Sequence, residues 1–144
     1  MEPLVLIHGF SGIPAMWDPM LPALQEQFDV RALGLAGHFG CAALPEGTDV
    51  STTALFDAIR RDGPPSDFDG IECPTTIVWG TKDRIIPLKG YSDRIRRMVP
   101  QADFVVLEGA GHSPMVDEPD RLVRIIEETA SRAREGVAAG DPAA

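Results

Sequence analysis

The chain has 144 residues, 44% of them hydrophobic and 24% charged, with 22 Asp and Glu against 13 Lys and Arg for a formal net charge of −9. This composition excludes a wholly disordered chain, and the length suits one core that folds without disulfides or a structural metal. The acidic balance argues against a nucleic-acid partner, which needs a basic footprint, and against an anionic membrane surface.

The first element is Leu4-Val5-Leu6-Ile7, a continuous apolar run ending in His8-Gly9. It reads as a strand, too short for a signal peptide or a membrane span and with no basic leader before it. The expectation is a soluble, cytoplasmic protein that begins at Met1. Asp18 with Pro19 reads as a helix start, and Met20, Leu21, Leu24 and Phe28 follow as one apolar stripe. Asp29 to Leu33 reads as a second strand, ending at Gly34. Ser51 caps a second expected helix carrying Leu55, Phe56 and Ile59. Thr75 to Trp79 reads as a third strand, ending in Gly80. A helix over about Leu88 to Met98 stops at Pro100, and Phe104 to Leu107 reads as the fourth strand. A last helix starts near Pro119-Asp120, with Leu122, Ile125, Ile126, Thr129 and Ala133 at helical spacing. Its acidic start and basic end suit the helix dipole.

The order β-α-β-α-β-α-β-α with short connections predicts an α/β fold with a parallel sheet. Strand runs without alternation predict burial on both faces. One domain over residues 1–135 is expected, followed by a Gly/Ala/Pro-rich mobile tail over 136–144. Two cysteines, Cys41 and Cys73, cannot build a disulfide framework. Together with His8, His38 and His112 they lack zinc-site spacing, so no metal and no cofactor is expected. Both cysteines read as small buried residues.

In an open α/β sheet, ligands bind beyond the carboxyl ends of the strands. Three polar clusters lie there: His8-Gly9-Phe10-Ser11-Gly12, Gly80-Thr81-Lys82-Asp83-Arg84, and Glu108-Gly109-Ala110-Gly111-His112-Ser113-Pro114. They supply a hydroxyl, a carboxylate and an imidazole. A carboxylate that orients a histidine, and a histidine that removes a proton, form the working core of acyl-transfer enzymes.

These segments resemble the α/β-hydrolase family. Leu4 to Gly12 is similar to the family's first core strand and oxyanion turn, and Gly34-Leu-Ala-Gly-His38-Phe-Gly to its second turn. Trp79-Gly-Thr-Lys-Asp83-Arg-Ile-Ile-Pro87 resembles the strand end presenting the triad acid. Gly109-Ala-Gly-His112-Ser-Pro-Met-Val-Asp-Glu-Pro119 resembles the loop presenting the triad histidine. The resemblance implies Asp83 as orienter and His112 as general base. It also implies Gly9, Phe10 and Gly12 as the oxyanion and substrate-binding turn, with Phe10 N–H as a donor and His8 as its brace. One departure is plain: the nucleophile elbow Gly-x-Ser-x-Gly occurs nowhere in the sequence. The chain resembles a family member whose middle has been removed, elbow and lid included.

That removal has structural and chemical consequences. Direct pairing of Leu4–Ile7 with Thr75–Trp79 closes the gap and predicts a doubly wound sheet of order 2-1-3-4, with its switch point between Ser11 and Asp83. Ser11 then stands in two roles, replacement nucleophile or loop serine bonded to its own backbone; if it is the latter, His112 activates water. Apolar surface uncovered by the removal predicts a homodimer, with swapped elements as one form. The expected function is hydrolysis of small activated esters. The other reading is a catalytically inactive relic that binds a small ligand or a partner.

Overall fold

The computed structural model of the chain describes residues 1–9, 12–35, 45–47, 57, 61 and 71–139. The chain divides into two compact units, Met1–Ser66 and Asp67–Ala144.

In the first unit, β1 (Glu2–Ile7) and β2 (Phe28–Leu33) pair in parallel, in register from Glu2 opposite Phe28 to Ile7 opposite Leu33. Between them lie a 3-10 turn, Pro14–Trp17, and a single helical turn, α1 (Leu21–Leu24). Among the described residues of this unit, Leu6, Met20, Leu24 and Phe28 are the buried apolar side chains. The connection differs from the expected long helix. Asp18 closes the 3-10 turn, its N–H bonded to Ala15, and Met20 caps α1. Phe28 belongs to β2: its ladder with Glu2 takes the place of helix continuation, and so short a helix draws its stability from packing. The expected burial of strands on both faces also fails in β1. Leu6 is buried, but Val5 and Ile7 are exposed, as is Leu33 opposite Ile7. The pleat puts Val5 and Ile7 on the face opposite Leu6.

In the second unit, β3 (Thr76–Gly80) and β4 (Asp103–Leu107) pair in parallel, Thr76 opposite Asp103 and Gly80 opposite Leu107. The helices are α2 (Leu88–Met98), α3 (Pro114–Asp117) and α4 (Pro119–Ala139). Alternation places Ile77, Trp79, Phe104 and Val106 on one face. There Trp79 stacks on Phe104 at 5.8 Å between ring centroids, and the Arg96 guanidinium of α2 lies 3.7 Å over the Phe104 ring. On the other face a hydrogen-bonded string ties α4 to β3. Arg132 donates to Thr76 Oγ1 (2.7 Å), and the Thr76 and Thr129 hydroxyls meet at 2.7 Å. Thr129 donates onward to the Ile125 carbonyl. Arg132 also pairs with Asp103 at the start of β4. Each face of this sheet therefore carries a helix, the layering expected of an α/β fold.

Three boundaries depart from expectation. Helix α4 continues through Gly136 to Ala139, into the span assigned to the tail. Helix α2 is broken in its first turn at Lys89 and at Gly90, whose φ of +100° suits glycine. The turn α3 is additional. The described ladders join β1 to β2 and β3 to β4, in two two-stranded parallel sheets, which are the outer pairs of the order 2-1-3-4. The helix expected from Ser51, and the segment holding His38 and Cys41, lie outside the described residues save for Asp57 and Arg61, both helical. Cys73, expected to be buried, is exposed.

Candidate active site

Strand β3 ends at Gly80, and its following turn is stitched to the turn after β4. Thr81 N–H donates to the Leu107 carbonyl (3.0 Å) and Lys82 N–H to the Ala110 carbonyl (2.8 Å). Gly109 N–H donates in return to Thr81 Oγ1 at 2.9 Å. Two glycines make this approach feasible. Gly109 turns the chain with φ of +88°, a conformation costly for other residues. Gly80 lies so close to the second loop that a Cβ there would sit 2.2 Å from the Ala110 carbonyl oxygen.

The stitched loops bring Asp83 and His112 together. His112 Nδ1 lies 2.9 Å from Asp83 Oδ2. The other carboxylate oxygen, Oδ1, accepts the backbone N–H groups of Ile85 (2.8 Å) and Ile86 (2.9 Å). The Asp83 side chain is 7% exposed and that of His112 is 42% exposed. A carboxylate held this way is an acceptor, so the neutral imidazole carries its proton on Nδ1 and its lone pair on Nε2. Among the described residues Nε2 has no hydrogen-bond partner. Farther along, Gly111 N–H donates to Asp117 Oδ2 (2.8 Å), which anchors the His112 loop to α3.

Burial raises the Asp83 pKa, but the hydrogen bonds from His112, Ile86 and Ile85, with the imidazole's charge, outweigh it and hold the carboxyl below its ordinary 3.8. The folded state thus takes up this proton less readily than the unfolded chain. The resulting stability is fully present above the unfolded value of about 4 and is lost as pH falls through the lower folded value. Asp83→Asn is expected to flatten this acid limb. Urea midpoints of the wild type should drop more steeply between about pH 5 and about pH 3 than those of the variant. Equal slopes would contradict the linkage.

The first sequence cluster lies in the other unit. His8 is buried; its Nε2 accepts from Leu35 N–H at 3.2 Å, and its Nδ1 is 2.8 Å from the Gly9 carbonyl. The imidazole therefore ties the turn after β1 to the chain leaving β2. Gly12 N–H donates to the Gly9 carbonyl (2.9 Å) and closes that turn. A Cβ on Gly12 would meet His8 Cβ and Met16 Sδ, each at 2.9 Å. Phe10 and Ser11, between these glycines, lie outside the described residues.

Sequence reasoning missed the supporting groups Thr81, Asp117 and the Ile85 and Ile86 amides. The two backbone donors carry no side-chain signature. Thr81 and Asp117 lay inside the quoted motifs, but only the loop-to-loop contact reveals their use.

Comparison with known proteins identifies relatives by sequence and by fold. Lipase 1 of Psychrobacter immobilis is 43% identical over 47 residues, covering 33% of this chain and 14% of that protein. Monoacylglycerol lipase ABHD6 of Mus musculus is 31% identical over 58 residues, covering 40% of this chain and 17% of that protein. The chain thus matches under a fifth of the length of these relatives. A thermophilic esterase from Thermogutta terrifontis has the same fold at a TM-score of 0.67 and 17% identity, over 92% of this chain and 90% of that one. The model of the alpha/beta hydrolase family matches residues 46–125, more than half of the chain and both stitched loops. Asp83 and His112, 2.9 Å apart at adjacent strand ends, thus lie inside the matched span, and the chain belongs to the alpha/beta hydrolase family.

Proposed function

We propose that the protein is an esterase that cleaves small activated esters with an apolar acyl group, using Asp83 and His112. The observation carrying this reading is the 2.9 Å bond between them, made through Nδ1 of a part-exposed imidazole whose Nε2 has no partner among the described residues and can take a proton. His112 removes a proton from the Ser11 hydroxyl or from water, and the resulting oxygen adds to the ester carbonyl. The tetrahedral oxyanion is received by Phe10 N–H in the Gly9–Gly12 turn. Collapse expels the alcohol, which takes the proton from the imidazolium. On the serine route, a water activated the same way then hydrolyses the acyl-serine. The apolar preference rests on Ile85, in the turn after β3, and Val116, in α3 just beyond the His112 loop, 72% and 55% exposed. An acyl chain that covers such side chains gains about 25 cal/mol per Å² of apolar surface removed from water. Relatives named as lipases and an esterase support the reading.

Hydrolysis of aryl acetate, butyrate and octanoate tests it. Turnover is expected, with kcat/KM rising from acetate to butyrate. Rates no higher than those of His112→Ala would overturn it. The absence of Gly-x-Ser-x-Gly favours one second reading, a catalytically inactive module that binds a ligand or partner, and that outcome would leave it standing.

Two structural expectations belong to the same reading. The exposed Val5, Ile7 and Leu33 favour a homodimer. Sedimentation velocity at micromolar concentrations is expected to show it, and a monomer throughout would refute it. The proposed order 2-1-3-4 requires amide-to-amide NMR contacts between Leu4–Ile7 and Thr75–Trp79, and their absence would overturn it.

A further inference from the structure

We propose that Trp79 is a positioning residue for the Asp83–His112 pair, acting through the Ile86 carbonyl. Asp83 stands on a turn whose conformation its own sequence does not lock: Oδ1 holds the Ile85 and Ile86 amides, but carboxylate and amides move together unless the turn is anchored elsewhere. The near side of the turn is held by Lys82 N–H on the Ala110 carbonyl and Asp83 N–H on the Gly80 carbonyl; its far side is anchored by the Trp79 indole, whose Nε1–H donates to the Ile86 carbonyl at 2.9 Å. Residue 86 is then gripped at both ends, its N–H by Asp83 and its C=O by Trp79. Pro87 follows with φ of −59°, fixed by its ring, so this grip also sets the direction in which the chain enters α2.

The indole is itself immobilised. It stacks on Phe104 with an interplanar angle of 24°, and the Arg96 guanidinium packs on that same Phe104 ring. A continuous string therefore runs from the sheet face to the imidazole: Trp79 Nε1–H to Ile86 carbonyl, Ile86 N–H to Asp83 Oδ1, Asp83 Oδ2 to His112 Nδ1, each link 2.9 Å. The C=O and N–H of Ile86 belong to different peptide groups, so the string transmits position, not electronic polarisation. Without the indole N–H, the stack still buries an aromatic ring, yet the turn carrying Asp83 can shift against His112.

The kinetic part of this proposal rests on the pair being catalytic; the spectroscopic part does not. Trp79→Phe keeps an aromatic ring on Phe104 and removes the donor. A benzothienylalanine at position 79 keeps the bicyclic shape and removes only the N–H, should the phenylalanine variant fold poorly. The first readout is the imidazole ¹H–¹⁵N spectrum. Both replacements are expected to move the His112 Nδ1–H resonance upfield and speed its exchange with water, while 7-azatryptophan at position 79, which restores an N–H, returns it to the wild-type position. The second is ester turnover, where loss of one neutral hydrogen bond predicts a fall in kcat of about fivefold to tenfold with KM within about twofold. An unchanged His112 resonance in folded benzothienylalanine protein overturns the proposal whatever the activity. A shifted resonance in a protein whose turnover ignores His112→Ala upholds the positioning role and rejects the esterase reading.

Discussion

Replacing His112 by alanine is expected to lower ester turnover by about 10²–10⁴-fold, the contribution of a positioned general base. The imidazole is held on one side by Asp83, and among the described residues its Nε2 has no partner, so alanine removes the general base that the pair presents to an incoming hydroxyl. The fold should survive: Asp83 keeps the Ile85 and Ile86 amides as donors, and the other loop-to-loop bonds do not involve the imidazole. The companion variant Ser11→Ala separates two mechanisms. If the serine attacks, Ser11→Ala and His112→Ala each remove the reaction, and the double variant is no worse than either, because members of one catalytic unit do not add. If water attacks, activity survives Ser11→Ala and is lost only with the histidine. Initial rates on an aryl butyrate for the four proteins, with circular dichroism to confirm folding, distinguish these outcomes. Activity untouched by both substitutions would reject the site.

Gly80→Ala is expected to destabilise the protein by about 3 kcal/mol, the upper range for forcing atoms into a packed site. The contact is with backbone. A Cβ at this position would lie 2.2 Å from the Ala110 carbonyl oxygen, 2.3 Å from that of Gly111 and 2.6 Å from the Ala110 carbonyl carbon. No rotamer change relieves such a clash, so the two loops must separate. Separation breaks the Lys82-to-Ala110 bond and carries His112 away from Asp83. Stability and catalysis should therefore fall together, with a lower urea midpoint and turnover approaching that of His112→Ala. Gly109→Ala is the milder control: nothing lies within 4 Å of its Cβ position, and only its φ of +88° opposes the substitution. That strain costs about 1–2 kcal/mol. Equal stability of wild type and Gly80→Ala would contradict the loop geometry.

The same two loops show what could be read from residues alone. Asp83 and His112 were legible because each follows an apolar strand run and a glycine, and ligand-facing groups lie at the carboxyl ends of parallel strands. Trp79, Thr81 and Asp117 stand in the same motifs, yet their roles were not legible. Their partners are backbone groups 7, 28 and 6 residues away in sequence, and no side-chain pattern marks a backbone partner. Phe28 shows the opposite error. Its spacing from Leu24 fits a helical stripe, but pairing with Glu2 places it in a strand, because ladder bonds and burial outweigh local periodicity.

Local sequence determined the strand runs, the helix over Leu88 to Met98, the start of the last helix, and the residue types at each strand end. Apolar continuity, proline, glycine and capping act over a few residues and need no knowledge of the rest of the chain. Tertiary structure alone decided that one face of β1 stays exposed, that Gly80 must lack a side chain, and that Asp83 keeps its charge with His112 beside it. Burial, close approach and a pKa balance are properties of atoms brought together from distant positions, and only the folded chain brings them together.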